Sequence, residues 1–233
     1  MCGIVGCILK KNKNVSPILF NGISKLEYRG YDSVGLATYD NDINVKKAKG
    51  NIESVNGKLN FKNMKGNLGI AHIRWATIGN PSDENAHPHL DETRSVAIVH
   101  NGTLENYVNL KEELIEKGYC FKSTTDSEVI PNLIKKYMDE GLHLEGAIRK
   151  TTEKLKGSYA IVAFSKNEPD KLVATRNESP LIVAQGNEGY FVASETTAVE
   201  DYGRNIISLK DGEIAILTKK GIEIHDEKGH EYM

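Results

Sequence analysis

Met1-Cys2-Gly3-Ile4-Val5-Gly6-Cys7-Ile8-Leu9 opens the chain, and the rest is best understood outward from it. Residues 4–9 are apolar, short and punctuated by glycine, which reads as a buried strand. If Met1 is removed, Cys2 carries both a thiol, with a pKa of about 8.5, and a free α-amine, near ~7.7–8.0. An amine of that pKa takes up and returns a proton at neutral pH. Nucleophile and base then share one residue, within a hydrogen bond or one bridging water, and no second side chain has to supply the base. The blander reading of Cys2 is a small residue that merely permits Met1 removal. A retained Met1 would instead lock the Cys2 nitrogen into a peptide bond and leave the thiol without its base.

Composition bounds what such a chain does. Its 233 residues fit one large domain or two small ones, and 39% hydrophobic with 27% charged residues describe a chain with a real core. Lys and Arg number 30 against 32 Asp and Glu, a formal net charge of -2, so nothing calls for nucleic acid or an anionic membrane. No apolar run approaches the ~20 residues that span a bilayer. Residues 4–9 are too short for a signal-peptide core, and Lys10 and Lys11 follow them instead of preceding them. Three cysteines without a CxxC pair argue against a disulfide framework or zinc knuckle and point to a reducing cytoplasm. Asn101-Gly102-Thr103 matches a glycosylation acceptor, idle without a secretory route.

Periodicity places the elements. Ile18, Leu19, Ile23 and Leu26 recur at helical spacing within residues 15–27, and Arg29-Gly30 ends that helix. Residues 34–39 and 43–48 read as strands around an Asp40-Asn41-Asp42 turn, and residues 52–59 as a short helix. Strands at 68–73 and 95–100 bracket a loop over 75–90 containing Gly79, Asn80, Pro81 and Pro88, long enough to serve as a lid. Helices are expected at 104–117, 127–140 and 144–155, with Asp126 as N-cap of the second. Strands follow at 159–164, 171–175, 181–184, 190–193, 206–209, 213–217 and 222–224, joined by hairpin-like turns such as Lys210-Asp211-Gly212-Glu213. Strands at both ends and helices between suggest one domain of two stacked sheets flanked by helices, although periodicity alone does not decide it.

Four polar segments join Cys2 as candidates for chemistry: residues 26–33, 72–77, 100–102 and 124–128. Each lies at a strand end or helix start, where sites gather in layered proteins. Asn101-Gly102 reads in isolation as a turn, yet the Asn101 amide and the Gly102 N–H are also suited to hold the oxyanion formed when a thiolate attacks a carbonyl. Arg74 is either a surface ion-pair partner or a bidentate grip on a substrate carboxylate. Asp126 has acceptor sites for both a helix start and a substrate ammonium. His72, His87, His89 and His100 cluster in sequence but lack any metal-ligand spacing, so packed or capping histidines are expected and no metal. Neither a Walker loop nor GxGxxG occurs, and no cofactor is expected.

Taken together, these segments resemble the class II, N-terminal-cysteine glutamine amidotransferases, and within them the glutaminase portion of the glucosamine-6-phosphate synthases. LEYRGYD at 26–32 is the discriminating piece; RWAT at 74–77, NAHPH at 85–89, HNG at 100–102 and TDSEV at 125–129 match in order. Ser179-Pro180-Leu181 and Ala193-Ser194 extend the similarity over essentially the whole chain. The resemblance implies an α+β fold, a four-layer αββα sandwich of the N-terminal-nucleophile (Ntn) hydrolase type, occupying residues 1–233 as one domain. It implies hydrolysis of the side-chain amide of L-glutamine to glutamate and ammonia through a thioester on Cys2. Asn101 and Gly102 would form the oxyanion hole. Arg74 and Thr77 would bind the α-carboxylate, and Asp126 with the Gly102 carbonyl the α-ammonium. Trp75 would ride on a closing loop over 74–82, and Arg29 and Gly30 would help place the Cys2 terminus. The ammonia would go to a sugar isomerase domain or subunit that converts fructose-6-phosphate to glucosamine-6-phosphate. No such sequence is present here, which suggests a separated domain or one half of a two-component enzyme. Ile78 stands where histidine is usual, Glu178 where glycine is usual and Glu195 where aspartate is common.

The residues leave two other readings open beside the glutaminase: an N-terminal-cysteine acylase for other amides, and a non-enzymatic glutamine-sensing module that keeps Met1.

Overall fold

A computed structural model of the chain describes residues 2–226 and 228–231; the expectation about Met1 concerns a residue outside them. Its first strand, β1 (Gly3–Leu9), is buried at every position. That explains why its sequence does not alternate: a strand covered on both faces is apolar throughout. β1 is the middle strand of a seven-stranded antiparallel sheet. On one side lie β4 (Leu68–Arg74), β2 (Ser33–Asp40) and β3 (Asp42–Lys49), and on the other β10 (Gly189–Ala193), β9 (Ile182–Gly186) and β11 (Gly203–Ser208). The second sheet runs β13 (Ile222–His225), β12 (Ile214–Thr218), β8 (Glu168–Asn177), β7 (Gly157–Ser165), β6 (Val96–Leu104) and β5 (His89–Leu90), again antiparallel.

The two sheets face each other across an apolar layer. Ile4 and Ile8 of β1, Ile70 of β4, Val99 of β6, Val162 of β7 and Leu172 of β8 are buried together there. Each such side chain contributes roughly 1.5–3 kcal/mol relative to exposure. Close approach needs Gly6, because a Cβ there would sit 2.6 Å from Val192 Cγ1 and 3.0 Å from Leu172 Cδ2. Two helices, α1 (Ser16–Lys25) and α2 (Ile52–Leu59), cover the outer face of the first sheet, with Leu19, Ile23 and Val55 packed on Val5, Leu36 and Ile73. Three more, α3 (Tyr107–Glu116), α4 (Val129–Asp139) and α5 (Leu144–Thr152), cover the second sheet, with Leu110, Ile134 and Ile148 packed on Ile98 and Ile161. Helix, sheet, sheet, helix is the expected four-layer α+β sandwich.

Four local expectations are corrected. The helix expected from residue 104 begins only at Tyr107, because β6 continues through Asn101, Gly102, Thr103 and Leu104, paired with Ala160, Tyr159, Ser158 and Gly157. Asn101-Gly102 is therefore the inside of a strand, not a turn, and Asn101 is buried, where no glycan attaches. Asp126 caps no helix: α4 starts at Val129, and the Asp126 carboxylate accepts the Leu104 N–H at 2.8 Å. The turn at Lys210-Asp211-Gly212-Glu213 joins strands of different sheets, so it is a crossover and not a hairpin. Leu209, buried in the layer between the sheets, marks where the chain passes from one to the other.

Candidate active site

Cys2 precedes the central strand, and its placement follows from β1. The Cys2 Sγ lies 3.3 Å from Trp75 N and 3.4 Å from Trp75 O, just beyond the end of β4. Two side chains from elsewhere converge on its carbonyl: Arg29 Nε donates at 3.1 Å and Asn101 Nδ2 donates at 3.1 Å. Burial pushes the thiol pKa up, with the Trp75 N–H and the charge of Arg74 pulling the other way. A thiol held protonated needs a base before it attacks.

Arg29 is delivered by a short turn of 3-10 helix, Glu27–Arg29. Its Nη1 donates to Glu195 at 2.5 Å, and Tyr28 donates its hydroxyl to the same carboxylate. These bonds hold the Glu195 carboxyl below its usual range, with the Tyr28 hydroxyl as the larger cause. Gly30 follows because no side chain fits: a Cβ there would lie 2.6 Å from the carbonyl carbon and oxygen of Arg74. The peptide it packs against is the one that meets Cys2 Sγ.

Arg74 ends β4, buried, and holds the loop after it. Its Nη2 donates to the carbonyls of Ile78 at 2.6 Å and Gly79 at 3.0 Å. Asp32 lies 3.8 Å from Arg74 Nη1, which makes no hydrogen bond among the described residues, and the other Asp32 oxygen accepts the Ala76 N–H. The backbone carbonyl of Ile78 is thus tied to Arg74 whatever side chain stands there. Trp75 is 47% exposed and meets Tyr31 edge-on at 5.3 Å, leaving an aromatic face beside the thiol. Thr77 is exposed on the same loop.

The other half of the site comes from β6. Gly102 has φ +128, and a Cβ there would meet the Ser158 carbonyl at 2.1 Å, so only glycine fits. Asp126, buried, reaches Leu104 N–H two residues further along the same strand. Across the layer between the sheets, His72 Nε2 sits 3.0 Å from both the His100 carbonyl and Asn101 Oδ1. The four histidines form a buried group, His72 stacked on His87 at 4.1 Å and His87 meeting His89 at 4.5 Å. Burial pushes all four pKa values down, that of His72 to about 3. Several of their ring nitrogens take protein partners: His100 N–H on His87 Nδ1, Ser127 on His100 Nδ1 and Thr125 on His89 Nε2. Packed histidines are among the roles the spacing led us to expect.

The fold thus gathers Cys2, Arg29, Gly30, Arg74, Trp75 and Asn101 around one thiol, with Gly102 on the strand behind and Asp126 bonded to that strand at Leu104. Sequence reasoning gave no role to Asp32, although it lies inside LEYRGYD, nor to Glu195, singled out only as a departure. It also left Asn85 unassigned. That side chain ties the loop down by donating to the Asn80 carbonyl at 2.7 Å and accepting the Thr124 N–H at 2.9 Å.

Comparison with known proteins follows the same lines. The family described as a glutamine amidotransferase domain matches residues 72–201, more than half of the chain. The glutamine–fructose-6-phosphate aminotransferase (isomerizing) of Methanothermobacter thermautotrophicus is 52% identical over 217 residues, covering 93% of this chain but 37% of the relative. Its namesake in Clostridium tetani is 49% identical over 232 residues, 99% of this chain and 38% of the relative. The chain therefore spans little more than a third of the length of these relatives. Among solved structures, the glutamine phosphoribosylpyrophosphate amidotransferase of B. subtilis superposes with a TM-score of 0.82 at 28% identity, over 97% of this chain and 49% of that one. A glutamine aminotransferase class-II domain protein from Silicibacter pomeroyi shares the fold, with a TM-score of 0.66 at 17% identity over 97% of this chain and 99% of that one. A thiol ahead of the central strand, strand-borne Asn101-Gly102 behind it and a family match through both sheets lead to one statement: the chain belongs to the glutamine amidotransferase domain family.

Proposed function

We propose that the chain hydrolyses the side-chain amide of L-glutamine to glutamate and ammonia through a γ-glutamyl thioester on Cys2. The observation that carries this reading is the convergence of Arg29 Nε and Asn101 Nδ2 on the Cys2 carbonyl, beside a thiol seated on the Trp75 peptide. One amide hydrogen of Asn101 is engaged there, and an amide nitrogen carries two. The second, with the Gly102 N–H, serves the oxyanion, a donor of this kind contributing roughly 3 kcal/mol in a dry site.

With Met1 removed, the Cys2 amine takes the thiol proton as sulfur adds to the amide carbon. The same proton passes to the departing nitrogen, the C–N bond breaks and ammonia leaves. Water then attacks the thioester, giving its proton to the amine, and the C–S bond breaks to restore the thiol. Arg74 and Thr77 grip the α-carboxylate, and Asp126 with the Gly102 carbonyl the α-ammonium, which leaves the amide at the sulfur. The Nη1 of Arg74, buried without a hydrogen-bond acceptor among the described residues, suits that carboxylate. Its burial also means that the loop over 74–82, Trp75 on it, lifts to admit glutamine and closes to keep ammonia from bulk water. Residues 1–233 act as one such domain. The ammonia is used by a sugar isomerase domain or subunit that converts fructose-6-phosphate to glucosamine-6-phosphate, a reading supported by relatives named glutamine–fructose-6-phosphate aminotransferase (isomerizing). A reducing cytoplasm suits the three free cysteines, and no helix among the described residues is long and apolar enough to cross a membrane.

The test starts with the N-terminal mass of the purified protein, to establish that Cys2 is first. Glutamate release from L-glutamine is then measured for the wild type and for Cys2→Ala, with 6-diazo-5-oxo-L-norleucine as the covalent probe. Release that disappears in Cys2→Ala, and a probe adduct on Cys2, support the reading. Undiminished release in Cys2→Ala, or no release and no adduct from the mature wild type, overturns it.

A further inference from the structure

We propose that His72 is a positioning residue that sets which end of the Asn101 side-chain amide faces Cys2. This rests on the reading of Asn101 as an oxyanion donor, but its evidence is separate. His72 belongs to β4 of one sheet and Asn101 to β6 of the other, so their contact crosses the layer between the sheets. The His72 ring reaches two oxygens with a single nitrogen, Nε2, at 3.0 Å from the His100 carbonyl and 3.0 Å from Asn101 Oδ1. Both are acceptors, so Nε2 carries the proton and divides it between them.

The opposite tautomer fails on both sides. It would set a lone pair against two oxygens and place an N–H on Nδ1, which is buried without a partner among the described residues. An orphaned donor there costs more than an idle lone pair. Burial keeps the ring neutral, its pKa pushed down to about 3, so one tautomer holds throughout the working range of pH. His87 stacks on the ring at 4.1 Å and 17°. His87 is itself held by the His100 N–H, which donates to its Nδ1 at 3.2 Å.

Now take the Asn101 amide. Its oxygen is drawn to His72 and its nitrogen donates to the Cys2 carbonyl at 3.1 Å. Turning the amide over would put NH₂ against the His72 N–H and oxygen against the Cys2 carbonyl, two repulsive contacts in place of two bonds. Without His72 only one of these contacts remains to discriminate. The flipped amide then presents an oxygen to the developing oxyanion, where a donor is required. This is an effect on the transition state and not on glutamine binding, so it falls on kcat.

Four variants and one spectroscopic measurement decide the matter: His72→Phe, His72→Gln, Asn101→Ala and the double variant of the first and third. His72→Phe keeps a ring against His87 but has no donor. His72→Gln restores an N–H at about the same reach. Kinetics of glutamate release should show His72→Phe with kcat down roughly 10- to 100-fold, less than or equal to the loss typical of an oxyanion donor, with KM within about twofold. His72→Gln should recover at least part of the loss. In an Asn101→Ala background His72→Phe should have no further effect, since the group it positions is gone. Full kcat in His72→Phe, a loss seen in KM instead, or independent losses in the double variant would each overturn the proposal. Nitrogen-15 NMR of the wild-type histidines supplies a readout that needs no variant and no turnover: a protonated Nε2 and bare Nδ1 on His72 between pH 5 and 8 support it, and the reverse overturns it. A wild type silent toward glutamine would defeat the glutaminase reading, whereas an active wild type with an unaffected His72→Phe would defeat this proposal alone.

Discussion

Arg29 Nε donates to the carbonyl of Cys2 at 3.1 Å, while its Nη1 donates to Glu195 at 2.5 Å. One rigid guanidinium thus joins the residue that carries the thiol to a carboxylate far along the chain. A lysine has a single ammonium and cannot make both contacts in that geometry. Arg29→Lys should therefore lower kcat for glutamate release about tenfold and slow alkylation of Cys2 by iodoacetamide. An unchanged alkylation rate would show that the Cys2 backbone holds its place without Arg29.

Glu178 has φ 63, in the left-handed region, where L residues with side chains are disfavoured. Glycine, the residue the resemblance led us to expect here, adopts that backbone without the steric cost. Glu178→Gly should stabilise the fold by up to about 1 kcal/mol, a rise of roughly 2–4 °C in Tm. Its backbone N–H bond to Asp211 Oδ1 at 2.9 Å survives the change. Calorimetry of the two proteins measures it, and a lower Tm in the variant would contradict the strain argument.

Lys47, largely enclosed, donates to three backbone carbonyls of the loop, Glu84 at 3.1 Å, Ala86 at 2.6 Å and Pro88 at 3.2 Å. Burial pushes its pKa down to about 8, so at pH 7 it still carries its proton. Lys47→Met keeps the apolar stem and leaves the carbonyls without their donor. We expect a loss of about 2 kcal/mol in urea unfolding. The amide of Ala86, bonded within the loop to the Ser82 carbonyl at 3.1 Å, should exchange faster.

The buried histidines make the fold sensitive to acid. Each has its pKa lowered in the folded protein, His72 to about 3, with desolvation by burial as the largest cause. Above the unfolded value near ~6.5 they are neutral in both states and their contribution is whole. As pH falls below it, the unfolded chain binds protons that the fold refuses. Stability then declines by up to about 1.4 kcal/mol per pH unit for each histidine, until the folded values are reached. Urea midpoints at pH 7, 6 and 5 should fall steadily. A flat series would mean that the four rings are not excluded from protonation.

Much of the fold was legible because burial on both faces and period-two alternation leave direct marks. α2 (Ile52–Leu59) matches its expected span, and the β2–β3 pair closes at Asp40 and Asp42 around Asn41, φ 60, as the turn residues suggested. Misreadings fell where one local pattern serves two structures. Asn101-Gly102 is a common turn pair, yet a ladder partner distant in sequence, β7, carries the strand through it. Asp126 is a good N-cap type, but the nearest backbone donor in need was Leu104 of another element. Asp32 and Glu195 went unassigned because their partners, Ala76 and Arg29, are distant in sequence.

By itself the sequence determined which residues are chemically able to act: a thiol at position 2, an Asn-Gly pair, an arginine, a carboxylate, and an apolar pattern that marks buried strands and half-buried helices. Side-chain type and hydrophobic period are local properties, and a linear reading captures them. Only the tertiary structure decided that His72 and Asn101, on strands of opposite sheets, share a hydrogen bond, and that Arg29 reaches the Cys2 carbonyl. Direction and distance between such groups arise when the two sheets pack, and no local property of the chain contains them.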